Sequence, residues 1–204
     1  KMIFLRKEIA GGILAVSKTD ESIEELTRLY KGDFSEFATM CDKAKKEKLS
    51  VRVLLQEICG QGVLCYDEMG KPHLSDDTFN VSVSHTKDFV AVFIHPTFAV
   101  GIDIERHSNR AARLRERFLE KDELPANDNN QEAYCELCWC AKEAIYKMMP
   151  DTSIDIFKDI RIVPFEVASE GSFFVNVVYK QKLQHCEIQY IRNDFFSLVW
   201  SVKR

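Results

Sequence analysis

No apolar run in this chain approaches 18 residues, so no membrane-spanning helix is expected. The opening residues, Lys1-Met-Ile-Phe-Leu-Arg-Lys-Glu8, hold too short an apolar stretch to read as a secretory signal. A formal charge of −4 lacks the basic excess that marks a nucleic-acid surface. Neither phosphate-cradling glycine motif occurs. There is no Gly-x-Gly-x-x-Gly turn and no Gly-x-x-x-x-Gly-Lys-Ser/Thr loop, which leaves dinucleotide and P-loop nucleotide binding without support. The seven cysteines are odd in number and follow no regular framework, which fits a reducing compartment better than a disulfide scaffold. A cytoplasmic protein is therefore expected. Cys135, Cys138 and Cys140 fall within one helical stretch, and no second Cys or His pair at ligand spacing accompanies them, so they do not read as a zinc site.

What the chain does have is 204 residues, 46% of them hydrophobic and 29% charged, enough for one large domain or two small halves. Residues 11–17 read as a strand. Helical spacing follows over Glu21–Tyr30, with Ile23, Leu26 and Leu29 on one face. It resumes over Phe34–Ile58, where lysines (Lys43, Lys45, Lys46, Lys48) and Arg52 face one way and Leu49, Val53 and Leu54 the other. Asp67–Asp77 reads as a loop. Val81–His85, Phe89–Ile94 and Phe98–Glu105 read as one antiparallel run of strands. Arg110–Phe118 is helical, Pro125–Asn130 a polar loop, and Glu132–Met149 a strong amphipathic helix. Four strands follow, over Ile160–Pro164, Phe173–Tyr179, Glu187–Ile191 and Phe195–Val202. The repeated order of helices and then strands suggests two α/β halves, divided at about residues 102 and 103.

Two carboxylates stand out. In Gly101-Ile-Asp-Ile-Glu105, alternate side chains of a strand share a face, so Asp103 and Glu105 point together, with the isoleucines opposite. Two strand residues span about 6–7 Å. Two anions that far apart repel by about 2–3 kcal/mol at an effective dielectric near 20, a cost that a hard divalent cation would offset. Gly101, lacking a side chain, allows close approach just before them. Farther along, Glu143 and Lys147 are four apart on one helix face, with Lys142 beside them. Each feature alone has a bland reading: a strand reaching solvent, an exposed ion pair, a histidine (His85) closing a strand, a loop lysine (Lys71), a solvated helix face for Arg52. Together, carboxylates for a cation and lysines for phosphate oxygens point to magnesium-assisted chemistry on a phosphate.

The order Gly70-Lys-Pro72, Ser82-Val-Ser-His85, Val100-Gly-Ile-Asp-Ile-Glu105 and Trp139-Cys-Ala-Lys-Glu-Ala-Ile-Tyr-Lys147 closely resembles the 4′-phosphopantetheinyl transferases. The longer, pseudo-dimeric subgroup that activates peptide, polyketide and fatty-acid synthases is the nearer match. The resemblance runs from about Lys45 to Lys147. It implies an α+β fold of two similar halves related by pseudo-two-fold symmetry, each a small antiparallel sheet packed with helices, with the active site at their interface. It implies transfer of the 4′-phosphopantetheine arm of coenzyme A to a serine of an apo acyl or peptidyl carrier protein, with release of adenosine 3′,5′-bisphosphate. By resemblance, Asp103, Glu105 and Glu143 hold magnesium, and Lys147 contacts the phosphate under attack. Ser84 and His85 lie near the 3′-phosphate and pyrophosphate, Lys71 near the nucleotide, and Arg52 reaches the 3′-phosphate. Lys142 joins the phosphate-binding cations, and Glu123 matches the proposed general base. One segment departs from the pattern: after Lys147, Met148-Met-Pro-Asp-Thr152 stands where the family has a Gly-containing turn. A monomer is expected, and the alternative is a non-catalytic module of this fold that binds coenzyme A or a carrier protein.

Overall fold

The computed structural model describes residues 3–60, 63–125 and 130–203, so most of the polar loop expected over Pro125–Asn130 lies outside the described residues. Contacts divide the chain into two units, Lys1–Thr97 and Phe98–Arg204. The division falls ahead of the strand that carries Asp103 and leaves that strand whole. Among the described residues, no helix is long and apolar enough to cross a membrane.

In the first unit, β1 (Ile3–Ile9) and β2 (Gly12–Lys18) form a hairpin that the sequence reading saw only as its second strand. The helix α1 (Ile23–Leu29) opens on a capping box: the Ser22 hydroxyl accepts from the Glu25 N–H, and the Glu25 carboxylate accepts from the Ser22 N–H. The single helix expected over Phe34–Ile58 is broken. Asp33 accepts from the Ser35 N–H and hydroxyl, a local turn that competes with helix, and only a 3-10 turn forms at Ser35–Phe37. The helix α2 then runs over Asp42–Cys59. β3 (Leu64–Tyr66) pairs with β4 (Pro72–Leu74), a short strand inside the stretch Asp67–Asp77 expected as a loop. β5 (Asn80–Thr86) and β6 (Phe89–His95) complete a four-stranded sheet in the order β1-β2-β6-β5. Leu54, Leu55, Val90, Val92 and Ile94 lie in one buried cluster of this unit.

The second unit begins with β7 (Ala99–Arg106). It does not continue the run of β5 and β6, as the sequence reading expected, because β2 occupies the edge of β6 that β7 would have needed. Instead β7 pairs with the last strand. α3 (Arg110–Leu114) and α4 (Gln131–Met148) follow. β8 (Ile160–Ile162), β9 (Glu170–Tyr179), β10 (Lys182–Arg192) and β11 (Phe196–Lys203) complete a sheet ordered β7-β11-β10-β9-β8. Among the described residues every strand pairing is antiparallel, which makes the fold α+β. The missing Gly turn after Lys147 has a substitute. α4 stops at Met148 before Pro150, and Asp151 accepts from the Ser153 N–H at 3.0 Å and from the Tyr179 hydroxyl at 2.6 Å.

The approach of α4 to β7 is set at one residue. A Cβ placed on Gly101 would lie 1.9 Å from the Ala144 carbonyl oxygen and 3.1 Å from the Met148 Cβ. The close approach read from the sequence is thus made by the helix backbone. Gly101→Ala cannot be absorbed by a rotamer change, because the clashing atom is main chain. It is expected to cost about 3 kcal/mol of stability, the upper end for overpacking, and to separate β7 from α4. Denaturant unfolding checks this, and a loss below 1 kcal/mol would mean that the contact is not rigid.

Candidate active site

β7 and α4 carry the candidate residues of the second unit. Gly101, Asp103 and Glu105 alternate along β7 and so share one face. The Gly101–Ala144 contact identifies it as the face turned to α4. One turn on from Ala144, the Lys147 ammonium donates to Asp103 Oδ1 at 2.7 Å and to the Ile102 carbonyl at 3.3 Å. Cys140 precedes Lys147 by two turns on the same helix face, and burial first, then the Asp103 charge, push its thiol up. Asp103 is itself only 5% exposed. The side chains meet in antiparallel order: Met148 and Ala144 at Gly101, then Lys147 and Cys140 at Asp103.

The charges explain why this arrangement is costly without a cation. Burial first, and then the charges of Asp103 and Glu136, push the Glu105 carboxyl up to about 7. Burial and then the Asp103 charge also raise Glu143, against the pull of Lys147. Asp103 thus lies within electrostatic reach of both other carboxylates. All three offer only hard oxygen donors, the set that suits magnesium or manganese and not zinc. Among the described residues, no group of three His, Cys, Asp or Glu side chains is already drawn together tightly enough to hold a metal ion. The donor set fits such an ion, and side-chain rotation, with Lys147 yielding Asp103 Oδ1, is needed to assemble it.

Two residues expected to take part in the chemistry, Glu123 by resemblance and Lys142 from its place on the helix, are engaged otherwise. Glu123 and Lys142 are each 1% exposed and form an ion pair of 2.9 Å. Glu123 Oε1 also accepts from the Ile162 N–H at 2.8 Å, while Oε2 accepts from the Glu120 N–H at 2.9 Å and faces Arg161 at 3.5 Å. Lys142 donates to the Ile160 carbonyl at 2.6 Å. Both Glu123 oxygens are committed, and neither charge reaches a surface where a serine or phosphate could meet it. The pair ties α4 to β8 and to the 3-10 turn Lys121–Glu123. The phosphate-binding role expected for Lys142 is corrected accordingly: its ammonium is buried and spent on Glu123 and on the carbonyls of Phe157 and Ile160.

The four first-unit candidates differ among themselves. Arg52 is no part of a solvated face. It is 3% exposed, bonded to Glu36 at 2.6 Å and to the Leu64 carbonyl at 3.4 Å, with its guanidinium over the Phe37 and Tyr66 rings. Ser84 and His85 lie on opposite faces of β5. Ser84 is buried, whereas His85 is 52% exposed and places Nε2 3.2 Å from Glu47. Lys71 follows the β3–β4 turn, its N–H donating to Asp67 Oδ1 at 2.8 Å.

Sequence reasoning missed Glu136 and His107. Glu136, on α4 one turn before Cys140, is buried. It accepts from His107 Nδ1 at 2.7 Å, the Ser108 N–H at 3.1 Å and the Ser197 hydroxyl at 2.6 Å. His107 Nε2 meets the Asn193 carbonyl at 2.5 Å. A glutamate amid Tyr134, Leu137 and Cys138 was the available signal.

A family model described as the 4′-phosphopantetheinyl transferase superfamily matches residues 99–202, slightly more than half the chain and nearly all of the second unit. A Haemophilus influenzae protein named "Putative 4′-phosphopantetheinyl transferase" is 33% identical over 87 residues, which cover 39% of this chain and 37% of that protein. The chain therefore spans well under half the length of that curated relative.

Proposed function

Because the chain belongs to the 4′-phosphopantetheinyl transferase superfamily, whose members use coenzyme A as substrate, we propose that it moves the 4′-phosphopantetheine arm of coenzyme A onto a serine of an apo acyl or peptidyl carrier protein. The observation that carries this reading is Lys147 seated on Asp103 at 2.7 Å, since it joins the two motifs whose chemistry is complementary. In the proposed reaction the serine Oγ attacks the β-phosphorus of coenzyme A, its proton passes to solvent, the diphosphate bond breaks, and adenosine 3′,5′-bisphosphate leaves. Asp103, Glu105 and Glu143 would hold magnesium, which supplies positive charge to the diphosphate when bound. Lys147, released from Asp103, offers its ammonium to the equatorial oxygens of the phosphate under attack. His85 and Lys71, with side chains reaching the surface of the first unit, are proposed for the nucleotide phosphates, with Ser84 and Arg52 supporting them from within. Glu123 and Lys142 are not proposed as base or phosphate ligand, since their charges are spent on each other. The two units each contain an antiparallel sheet and an 18-residue helix, which supports the longer, pseudo-dimeric subgroup acting as a monomer. Seven free cysteines support a cytoplasmic setting.

Incubation with coenzyme A, magnesium and an apo carrier protein tests the proposal. The expected result is a phosphopantetheine mass gain on the carrier. Coenzyme A binding without mass gain on fatty-acid, polyketide or peptide carriers would favour a non-catalytic module.

A pH dependence follows from Glu105. Its carboxyl is held near 7 in the fold against an ordinary 4.5, so between those values the unfolded chain gives up a proton that the folded chain keeps. Metal-free stability therefore falls as pH rises through that window. A cation requires the ionised carboxylate and must displace the proton below about 7. The magnesium concentration for half-maximal activity is expected to rise up to about tenfold per pH unit below 7 and to level above it. A flat profile between pH 6 and 8 would place Glu105 outside the metal set.

A further inference from the structure

Glu105 and Ser197 are directly opposed in the β7–β11 ladder, so their side chains share a face and their Cβ atoms lie about 5 Å apart. The Ser197 hydroxyl is the nearest side-chain donor that the ladder offers to Glu105. It does not go there. It donates to Glu136 Oε1 at 2.6 Å, and the same carboxylate takes His107 Nδ1 at 2.7 Å and the Ser108 N–H at 3.1 Å. His107 and Ser108, the second and third residues after Glu105, thus give their donors to Glu136 as well. Glu105 lines a cavity together with Ser108, Arg110, Glu136 and Trp139, and no hydrogen bond or ion pair to its carboxylate is present among the described residues.

We propose that Glu136 is a positioning residue that gathers the donors around Glu105, and so keeps the Glu105 carboxylate available to a divalent cation. Three donors converge on one buried carboxylate while its neighbour, facing the same cavity, takes none. A glutamate that only stabilised α4 would have no reason to collect donors from both sides of Glu105. With Glu136 removed, Ser197 still faces Glu105 directly across the ladder, and its hydroxyl can turn onto that carboxylate. Hydrogen bonds to an anionic carboxylate are worth roughly twice neutral ones, so a cation would have to displace them. This inference rests on the proposed metal reading.

The probe is Mn2+ alone, followed by the electron paramagnetic resonance signal of the free ion, with no coenzyme A and no turnover. Glu136→Ala is expected to weaken Mn2+ binding at least tenfold. Glu136→Gln, whose amide oxygen still accepts, is expected to lose no more than about threefold and guards against a variant that fails to fold. The double variant Glu136→Ala/Ser197→Ala is expected to recover most of the affinity, a rescue that a merely structural role for Glu136 would not give. Mn2+ affinity unchanged in Glu136→Ala, or no recovery in the double variant, overturns the proposal. Should the parent protein bind no Mn2+, the metal reading fails, and a metal-free crystal structure of Glu136→Ala still decides the inference. The Ser197 hydroxyl turned onto Glu105 supports donor gathering, and an unmoved hydroxyl refutes it.

Discussion

Asp103→Asn is expected to lower phosphopantetheine transfer by two to three orders of magnitude, about the loss seen when one charge-stabilising group is taken from an active site, with little or no loss of stability. The two effects separate because Asp103 has two jobs of opposite sign. It is the charge that raises both Glu105 and Glu143, so in the metal-free protein it is a source of repulsion that asparagine removes. It is also the partner of Lys147, but that ammonium is part-exposed and can turn to water, so the lost ion pair costs little. The amide keeps the shape of the side chain. What it cannot keep is the negative charge that links helix to strand and would bind a cation. The Glu105 carboxyl should fall below 7 in this variant, because one of the two charges raising it has gone. Steady-state transfer rates and thermal unfolding of the same preparation check both halves. Activity within tenfold of the parent would mean that the metal is held elsewhere.

The strand with Asp103 and Glu105 and the helix with Glu143 and Lys147 were legible because each has a clean period: two for Val100, Ile102 and Ile104, and 3.6 for Leu137, Ala141 and Ala144. That Gly101 brings the two elements together was legible in part, since a glycine beside functional carboxylates signals close approach without saying by what. Which sheet β7 joins was not legible. Its alternation is satisfied equally beside β6 or β11, and the outcome depends on β2 taking the β6 edge from more than 70 residues away. The β9–β10 turn was hidden for a local reason. Lys180 and Gln181 both take positive φ, at 48° and 63°, a geometry usually signalled by Asn-Gly, and nothing in Tyr179-Lys-Gln-Lys182 announces it. Charged residues were the hardest to place. Sequence spacing cannot tell a lysine that meets substrate, as proposed for Lys147, from one that neutralises a buried glutamate, as Lys142 does. Arg52 failed in the same way: nothing in the helical spacing of its neighbours shows that Glu36 and two aromatic rings enclose it.

Glu123→Gln is expected to destabilise the second unit by about 3–5 kcal/mol, the usual cost of breaking one side of a buried ion pair. Its effect on transfer should follow from that loss of structure. Lys142 would remain beneath the surface with its charge uncompensated, and burial already pulls its pKa down against the support of Glu123. Arg161 would lose one of its two acidic partners, keeping Asp122. The Ile162 N–H and the 3-10 turn at Lys121–Glu123 would exchange a carboxylate for an amide. The double variant Glu123→Gln/Lys142→Met removes both charges and fills the lysine channel with an apolar stem. Replacing a buried pair by apolar groups of similar volume is often neutral, so most of the stability should return. The double variant then separates two views of these residues. If they only fasten α4 to β8, transfer returns together with stability, to within about tenfold of the parent. If Glu123 takes the serine proton, or Lys142 touches phosphate, the double variant is folded and inactive, with kcat reduced and coenzyme A binding retained.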